Sequence, residues 1–382
     1  MSSNWEEKAR LKRTTLWNLI PSEWLLSESI RNNPPKNSTT IPAECGILTK
    51  LDLEITEIDN IEELAKRIAQ GKYSAVQVTE AYCKRAAIAH QLVNCLAEIF
   101  FDRALERAQY LDEYYQSNGG KTIGPLHGIP ISLKDQVNIK GIETAMGYIG
   151  YLGQFEERNS IIVDQLLALG AVLYVKTALP QTIMMGITCS NLLGKTVNPL
   201  NRQLSCGGSS GGEGSLVVMR GSICGLGTDI GGSIRFPSAV NGIYGLKPSD
   251  GRLPYGLLKN SLDGQESVAS VIGPMTRSLS NIQVFIKAIL DTKPWLVDPK
   301  VVNLPWREDL FQEGQSAKLA FGIIQFDHIV HLTPPVQRAM NLAIDALKKA
   351  GHEVIPWDTT DHPQVNFQIR SFFLKIYFLI GC

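Results

Sequence analysis

Ser209 and Ser210 stand inside, and Ser233 directly after, a run from Gly207 to Gly232 that holds ten glycines in 26 residues. Average usage would supply roughly two. Glycine costs roughly 0.5–1 kcal/mol against alanine in a regular element, so this density answers to a geometric demand. One demand that fits is acyl transfer. The amides of "DIGGS" (229–233) can converge on a point, because Gly231 and Gly232 allow a tight turn with no side chain in the way. Donors so aimed hold the oxygen that turns negative when a hydroxyl attacks a carbonyl, each worth about 2.7–4 kcal/mol. Ser233, at the end of that turn, is the attacking hydroxyl in this reading.

A serine hydroxyl needs a base, and no histidine is near Ser233 in sequence. A neutral lysine serves. With an ordinary pKa near 10.4, a lysine costs about 4.6 kcal/mol to hold neutral at pH 7, and burial lowers lysine pKa values by about 3–5 units. Lys134, closing the apolar "GIPISL", is the lysine best placed for such burial.

Three other readings compete for the glycine-serine run. A flexible linker fits poorly with the apolar pieces "SLVVM", "SICGL" and "IRFPSAV". A phosphate-cradling G-x-x-x-x-G-K-[ST] loop could end at Gly194-Lys195-Thr196, but Cys189 stands where its first glycine belongs. A G-x-S-x-G elbow is satisfied twice, centred on Ser209 and on Ser210, with Asp327, His328, Asp361 and His362 downstream in the Ser…Asp…His order. An elbow follows a strand, whereas "VNPLNRQLSC" reads as polar and proline-broken; the elbow remains the alternative.

The elements that must position these groups are legible by period and caps. A helix runs from the N-terminus to near Ile20-Pro21, followed by a polar connector, "RNNPPKNSTTIPAE". Asn60 caps "IEELAKRIAQ", which Gly71 closes, and Ser74 with Gln77 forms a capping box for "AVQVTEAYCKRAAIAH". "DRALERAQYLDEYYQ" is a further helix. "GPLHGIPISLKDQ" then reads as a strand running into a loop at Lys134, and "NSIIVDQLLALGAVLYVKT" as a capped helix, a stop at Gly170 and a buried strand. Farther on, "AKLAFGIIQF", "PVQRAMNLAIDALKKAG" and "HEVIPW" repeat strand, helix, strand. This alternation predicts an α/β fold around a mixed sheet.

Composition bounds the function. The chain has 382 residues, 44% hydrophobic and 19% charged, with 37 basic against 37 acidic side chains. That balance argues against a polyanionic partner such as nucleic acid. Seven scattered cysteines with no C-x-x-C argue against a disulfide framework or a zinc ribbon and for a reducing, cytoplasmic setting. No secretory leader and no membrane span is expected.

"GPLHGIPISLKD", "CGGSSGGEGS" and "GLGTDIGGSIRFPSAVNGIYGLKPS" together resemble the amidase signature family of serine hydrolases, over most of residues 50 to 360. The resemblance implies a Ser-Ser-Lys triad: Lys134 as base, Ser209 as a bridging serine on a cis peptide after Gly208, and Ser233 as nucleophile. It implies an oxyanion hole from the amides of Ile230, Gly231, Gly232 and Ser233, support from Ser210, and a structural framework from Asp229 and Arg235. Ile183, Met184 and Met185 fall beside the family's acyl pocket. Cys206 is expected to be a buried small residue and His127 a structural one.

The separations of 75 residues from Lys134 to Ser209 and 24 from Ser209 to Ser233 look like those of the fatty acid amide hydrolase branch. "WEEKARLKRTTLWNLIPSEW" and "ILTKLDLEITE" look like the fungal acetamidase or general amidase branch. The implied fold is a mixed twisted sheet covered by helices on both faces, with residues 1–50 as a helical extension and connector and 51–382 as the amidase domain. The implied activity is hydrolysis of a small or medium carboxamide to carboxylate and ammonia or amine, without metal or cofactor, with a homodimer as the candidate assembly. Family members continue past the apolar "SFFLKIYFLIGC", so a shortened chain lacking the C-terminal part of the fold is expected here. The non-enzymatic alternative is an inactive fragment serving binding or assembly.

Overall fold

The computed structural model describes residues 5–265 and 267–365. Two compact units are distinguished, Met1–Trp306 and Arg307–Cys382. The apolar segment 371–382 lies outside the described residues.

In the first unit the described helices of eight residues or more are α1 (Trp5–Asn18), α2 (Ile61–Ala69), α3 (Ala75–Val93), α4 (Phe101–Ser117), α5 (Ile161–Ala168), α6 (Gly211–Val218) and α7 (Leu279–Asp291). The expected caps of α2 and α3 are present. Asn60 accepts from the Glu63 amide at 2.9 Å, and Ser74 and Gln77 exchange side-chain and backbone bonds at 3.0 Å. At α5 the sequence reading needs correction. Ser160 occupies the cap position, but its side chain bonds no α5 amide; the hydroxyl instead accepts from Asn138 N and donates to Leu257 O, both at 2.9 Å. The connector 31–44 is partly helical, with a turn of helix at Ile41–Glu44.

The strands are β1 (Leu96–Ile99), β2 (Pro130–Lys134), β3 (Val172–Thr177), β4 (Val197–Asn198), β5 (Asn201–Ser205), β6 (Cys224–Asp229), β7 (Tyr244–Gly245) and β8 (Val271–Thr276). Six of them form a mixed sheet in the order β1-β3-β2-β6-β8-β7. Its centre is parallel: β2 pairs with β3 on one side and β6 on the other. Its flanks are antiparallel. Every residue of β2, β3 and β6 is buried, as central strands covered on two faces must be. Lys134, Thr177 and Asp229 are the last residues of these three strands, so the parallel centre brings them to one edge, where ligands gather in open α/β sheets.

β4 and β5 form a hairpin outside the central sheet, directly before the glycine-serine run. The sequence reading has no strand here; Asn198 makes the turn by accepting from Leu200 N at 2.9 Å, which a pattern search for apolar runs does not register. Leu16, Ile20, Trp24 and Leu26 share one buried core with α3 and the sheet, so the compositionally distinct first fifty residues pack as part of this unit. In the second unit, β9 (Ala320–Ile323) and β10 (Glu353–Pro356) pair in parallel, with helices α8 (Glu308–Ser316) and α9 (Pro334–Lys349).

The glycine density around α6 is explained by close approach. Gly212 donates to Ala178 O at 3.1 Å, and a methyl group at 212 would lie 2.7 Å from Cys95 O and closer still to Ala178 O. Backbone cannot retreat as a flexible side chain can. Gly212→Ala is therefore expected to cost about 1–3 kcal/mol and to lower the apparent melting temperature. Gly314→Ala, in α8 with nothing within 4 Å of the added methyl, is expected to leave it unchanged or raise it slightly. Thermal unfolding of the two variants checks the contrast.

Candidate active site

Lys134 ends a strand with neighbours on both sides, and its side chain is 0% exposed. Nζ lies 2.7 Å from Ser209 Oγ and 2.8 Å from Thr228 Oγ1. No carboxylate is within salt-bridge distance of it among the described residues; Asp229 and Glu213 act only from farther off. Burial strips the ammonium of water and outweighs the attraction of those two acids, bringing the Lys134 pKa down to about 7.

The Gly208–Ser209 peptide is cis, as the family resemblance implies. Ser210, next in chain, ties the two serine motifs together. Its amide donates to Ser233 O at 3.1 Å, and its hydroxyl sits 3.3 Å from both Thr228 N and Thr228 O. Ser233 is half-buried, and its hydroxyl makes no hydrogen bond among the described residues. Lys134 and Ser209 are thus joined directly, and Ser233 is joined to them through the Ser210 amide.

Asp229 organises the turn that carries Ser233. Its carboxylate accepts from the amides of Gly232 at 2.7 Å, Ile234 at 3.0 Å and Arg235 at 3.2 Å, and from Arg235 Nε and Nη2 at 3.0 and 2.9 Å. Burial alone would raise its pKa; the Arg235 guanidinium and the three amides outweigh burial and hold the carboxyl well below the usual carboxylate range. Gly232 has φ of +122°, a backbone conformation that side chains other than glycine's resist. The Gly232 amide is therefore committed to Asp229. Of the four amides expected at an oxyanion hole, those of Ile230, Gly231 and Ser233 make no hydrogen bond with described residues and remain available.

Three polar groups around Lys134 escaped the sequence reading. Thr228 bridges Lys134 to Gln136, donating to Gln136 Oε1 at 2.6 Å. Glu213 is fully buried on α6, accepting from Thr177 Oγ1 at 2.9 Å and meeting Ser132 Oγ at 2.6 Å. A side chain on Gly225 would overlap the Glu213 carboxyl, so that glycine makes room for it. Burial pushes Glu213 up to about 8, against the lowering effect of its hydroxyl partners and Lys134. The available signals were small: a lone acid in the glycine-rich apolar "SSGGEGSLVV", and the two-residue spacing of Ser132, Lys134 and Gln136.

A cavity of about 640 Å³ opens beside the turn, lined by Ile183, Met184, Ile230, Tyr255, Asn260 and Ser270 among others. Met185 is exposed and does not line it. Cys206 and His127 are buried; His127 Nδ1 accepts from Ile123 N at 3.2 Å. No imidazole is among the hydrogen-bond partners of the Ser209 and Ser210 hydroxyls, and Asp327, His328, Asp361 and His362 belong to the second unit. Among the described residues no group of three or more His, Cys, Asp or Glu side chains is set to hold a metal ion, and no helix is long and apolar enough to cross a membrane.

Residues 77–379 match the family described as Amidase. The chain belongs to the amidase signature family. It is 47% identical over 367 residues to an acetamidase of Emericella nidulans, covering 95% of this chain and 66% of that protein, and 45% identical to an acetamidase of Aspergillus oryzae over 94% and 66%. In structure it resembles fatty acid amide hydrolase, with a TM-score of 0.86 at 37% identity over 94% of this chain and 63% of that one. A peptide amidase from Stenotrophomonas maltophilia matches with a TM-score of 0.66 at 26% identity over 78% and 62%. The chain therefore spans about two thirds of the length of the relatives it matches. The mixed α/β fold expected from the sequence is the one these amidases share.

The Lys134 site has a signature in stability. Its folded pKa, about 7, lies below the unfolded value near 10.4. Between those values Lys134 holds its proton more tightly in the unfolded chain than in the folded one, so its contribution to stability rises with pH across this window, by up to roughly 1.4 kcal/mol per unit. Lys134→Met removes the titration. Its stability advantage over the wild type is expected to be largest below pH 7 and to shrink steadily towards pH 10, measured by denaturant unfolding at each pH.

Proposed function

We propose that this chain is a serine amidohydrolase that cleaves a small or medium carboxamide through an acyl-enzyme on Ser233. The observation that carries the reading is Lys134 Nζ, wholly buried, 2.7 Å from Ser209 Oγ and without a counter-ion in contact. Near neutral pH such an amine is a base in reach of a hydroxyl.

In this mechanism neutral Lys134 accepts the Ser209 proton as Ser209 accepts that of Ser233. The freed Ser233 oxygen attacks the amide carbon, and the amides of Ile230, Gly231 and Ser233 receive the negative oxygen. The proton returns through Ser209 to the nitrogen of the leaving group, the C–N bond breaks, and ammonia or amine departs. Water then attacks the acyl-enzyme by the same relay, releasing the carboxylate and restoring Ser233. The cavity beside Ile230 falls in the size range of small-molecule sites and supports an acyl or leaving group of modest size. The acetamidase relatives support the same substrate class. The compartment we propose is the cytoplasm, in keeping with six described cysteines that stand as free thiols.

Labelling with a fluorophosphonate, followed by peptide mass spectrometry, tests the assignment together with hydrolysis of acetamide and benzamide. Ser233 is expected to be the labelled residue. Ser233→Ala should lose both labelling and turnover, and Lys134→Ala should lower the rate by about 10²–10⁴-fold. The wild-type rate should fall as pH drops through about 7, where Lys134 takes up its proton. Wild-type turnover in Lys134→Ala would sink the reading, as would labelling elsewhere.

A further inference from the structure

The hydrogen bonds behind Lys134 run in a fixed direction, set by a backbone carbonyl that can only accept. Gln136 Nε2 lies 3.0 Å from Lys259 O, so the nitrogen of this amide faces Lys259 and Oε1 faces Thr228. Oε1 carries no proton, and Thr228 Oγ1, 2.6 Å away, must donate to it. A hydroxyl has one proton. With that proton spent on Gln136, Thr228 can only accept from Lys134 Nζ at 2.8 Å.

A neutral amine has two hydrogens and one lone pair. One hydrogen goes to Thr228, and the other described partner of Nζ is Ser209 Oγ at 2.7 Å. We propose that Thr228 and Gln136 are positioning residues that keep a competing donor off the Lys134 lone pair and so reserve it for the proton of Ser209. This rests on the reading of Lys134 as base. Without Gln136, the Thr228 proton would be free to turn onto Nζ and occupy the lone pair itself.

The device also touches the cavity. Gln136 Nε2 meets Tyr255 OH at 3.0 Å and Asn260 Oδ1 at 2.9 Å, and both of those residues line the cavity beside Ile230. The amide that directs the lysine is thereby held by the wall against which a substrate would rest.

The charged and titratable groups acting on Lys134 are Asp229, at the end of β6, and Glu213, on α6. Both stay intact in the variants that test the proposal. The rate at which a fluorophosphonate labels Ser233 is measured against pH in the full chain for wild type, Thr228→Val, Thr228→Ser, Gln136→Leu, the double variant Gln136→Leu/Thr228→Val, and Lys134→Met. Thr228→Val should lower the plateau rate by about tenfold, the scale of one hydrogen bond. It should also move the acid limb to lower pH, because the lost hydroxyl dipole favoured the ammonium form. Thr228→Ser, which keeps the hydroxyl, should restore both.

Gln136→Leu should lower the plateau by a similar factor, and the double variant should be no slower than the slower single, because the two residues act as one unit. Should Thr228→Val fail to fold, Gln136→Leu alone carries the comparison of plateau rates. A wild-type plateau and acid limb in Thr228→Val, or in Gln136→Leu a wild-type plateau, would overturn the proposal. So would multiplying losses in the double variant. If Lys134→Met labels as fast as wild type, or wild type does not label at all, the base assignment has failed and this inference goes with it. If Lys134→Met is slow while the Thr228 and Gln136 variants are not, the positioning role alone is wrong.

Discussion

Desolvation of one amine governs the site. Lys134 closes the middle strand of the parallel sheet centre, where pairing on both edges and cover on both faces exclude water. A buried ammonium needs an anion in contact to stay charged, and Lys134 meets two hydroxyls instead. The nearby acids are handled so as not to supply one. Asp229 spends its charge on Arg235 and three amides, and burial favours the neutral form of Glu213 near pH 7. Each arrangement leaves the lysine closer to neutrality than a free carboxylate beside it would.

The rest of the first unit can be read as the support this amine requires. α6 lies against the sheet because Gly212 allows backbone to touch backbone at Ala178 and Cys95, and Gly225 leaves space for Glu213. That approach carries Ser209 and Ser210, at the start of α6, to the ends of β2 and β6. The Asp229 carboxylate then folds the following turn, so that Ser233 O meets the Ser210 amide. Three motifs separated by tens of residues thus converge through one sheet edge and one short helix.

Much of this was legible in the chain. The caps at Asn60 and Ser74, the strand ending at Lys134 and the glycine stop before β3 follow from local chemistry that short segments carry by themselves. The triad candidates came from glycine spacing and from the apolar run before Lys134, and the family resemblance added Ser209. What escaped was non-local. Thr228 and Gln136 are unremarkable polar residues until the pairing of β2 with β6 sets them side by side, and no periodicity encodes which way a threonine proton points. The commitment of the Gly232 amide to Asp229 was hidden for the same reason: "DIGGS" shows that amides can converge without showing which one the aspartate takes. The β4–β5 hairpin went unseen because asparagine turns and polar strands leave no apolar signal.

The central claim is that one lysine of this chain changes charge near neutrality. Heteronuclear NMR of protein labelled at lysine side chains, titrated from pH 5 to pH 11 in wild type and Lys134→Met, measures that directly. The account predicts a single lysine resonance with a midpoint near 7, absent from the Lys134→Met spectrum. If every lysine in the wild type titrates near 10, the buried amine is charged at neutral pH and the account is contradicted.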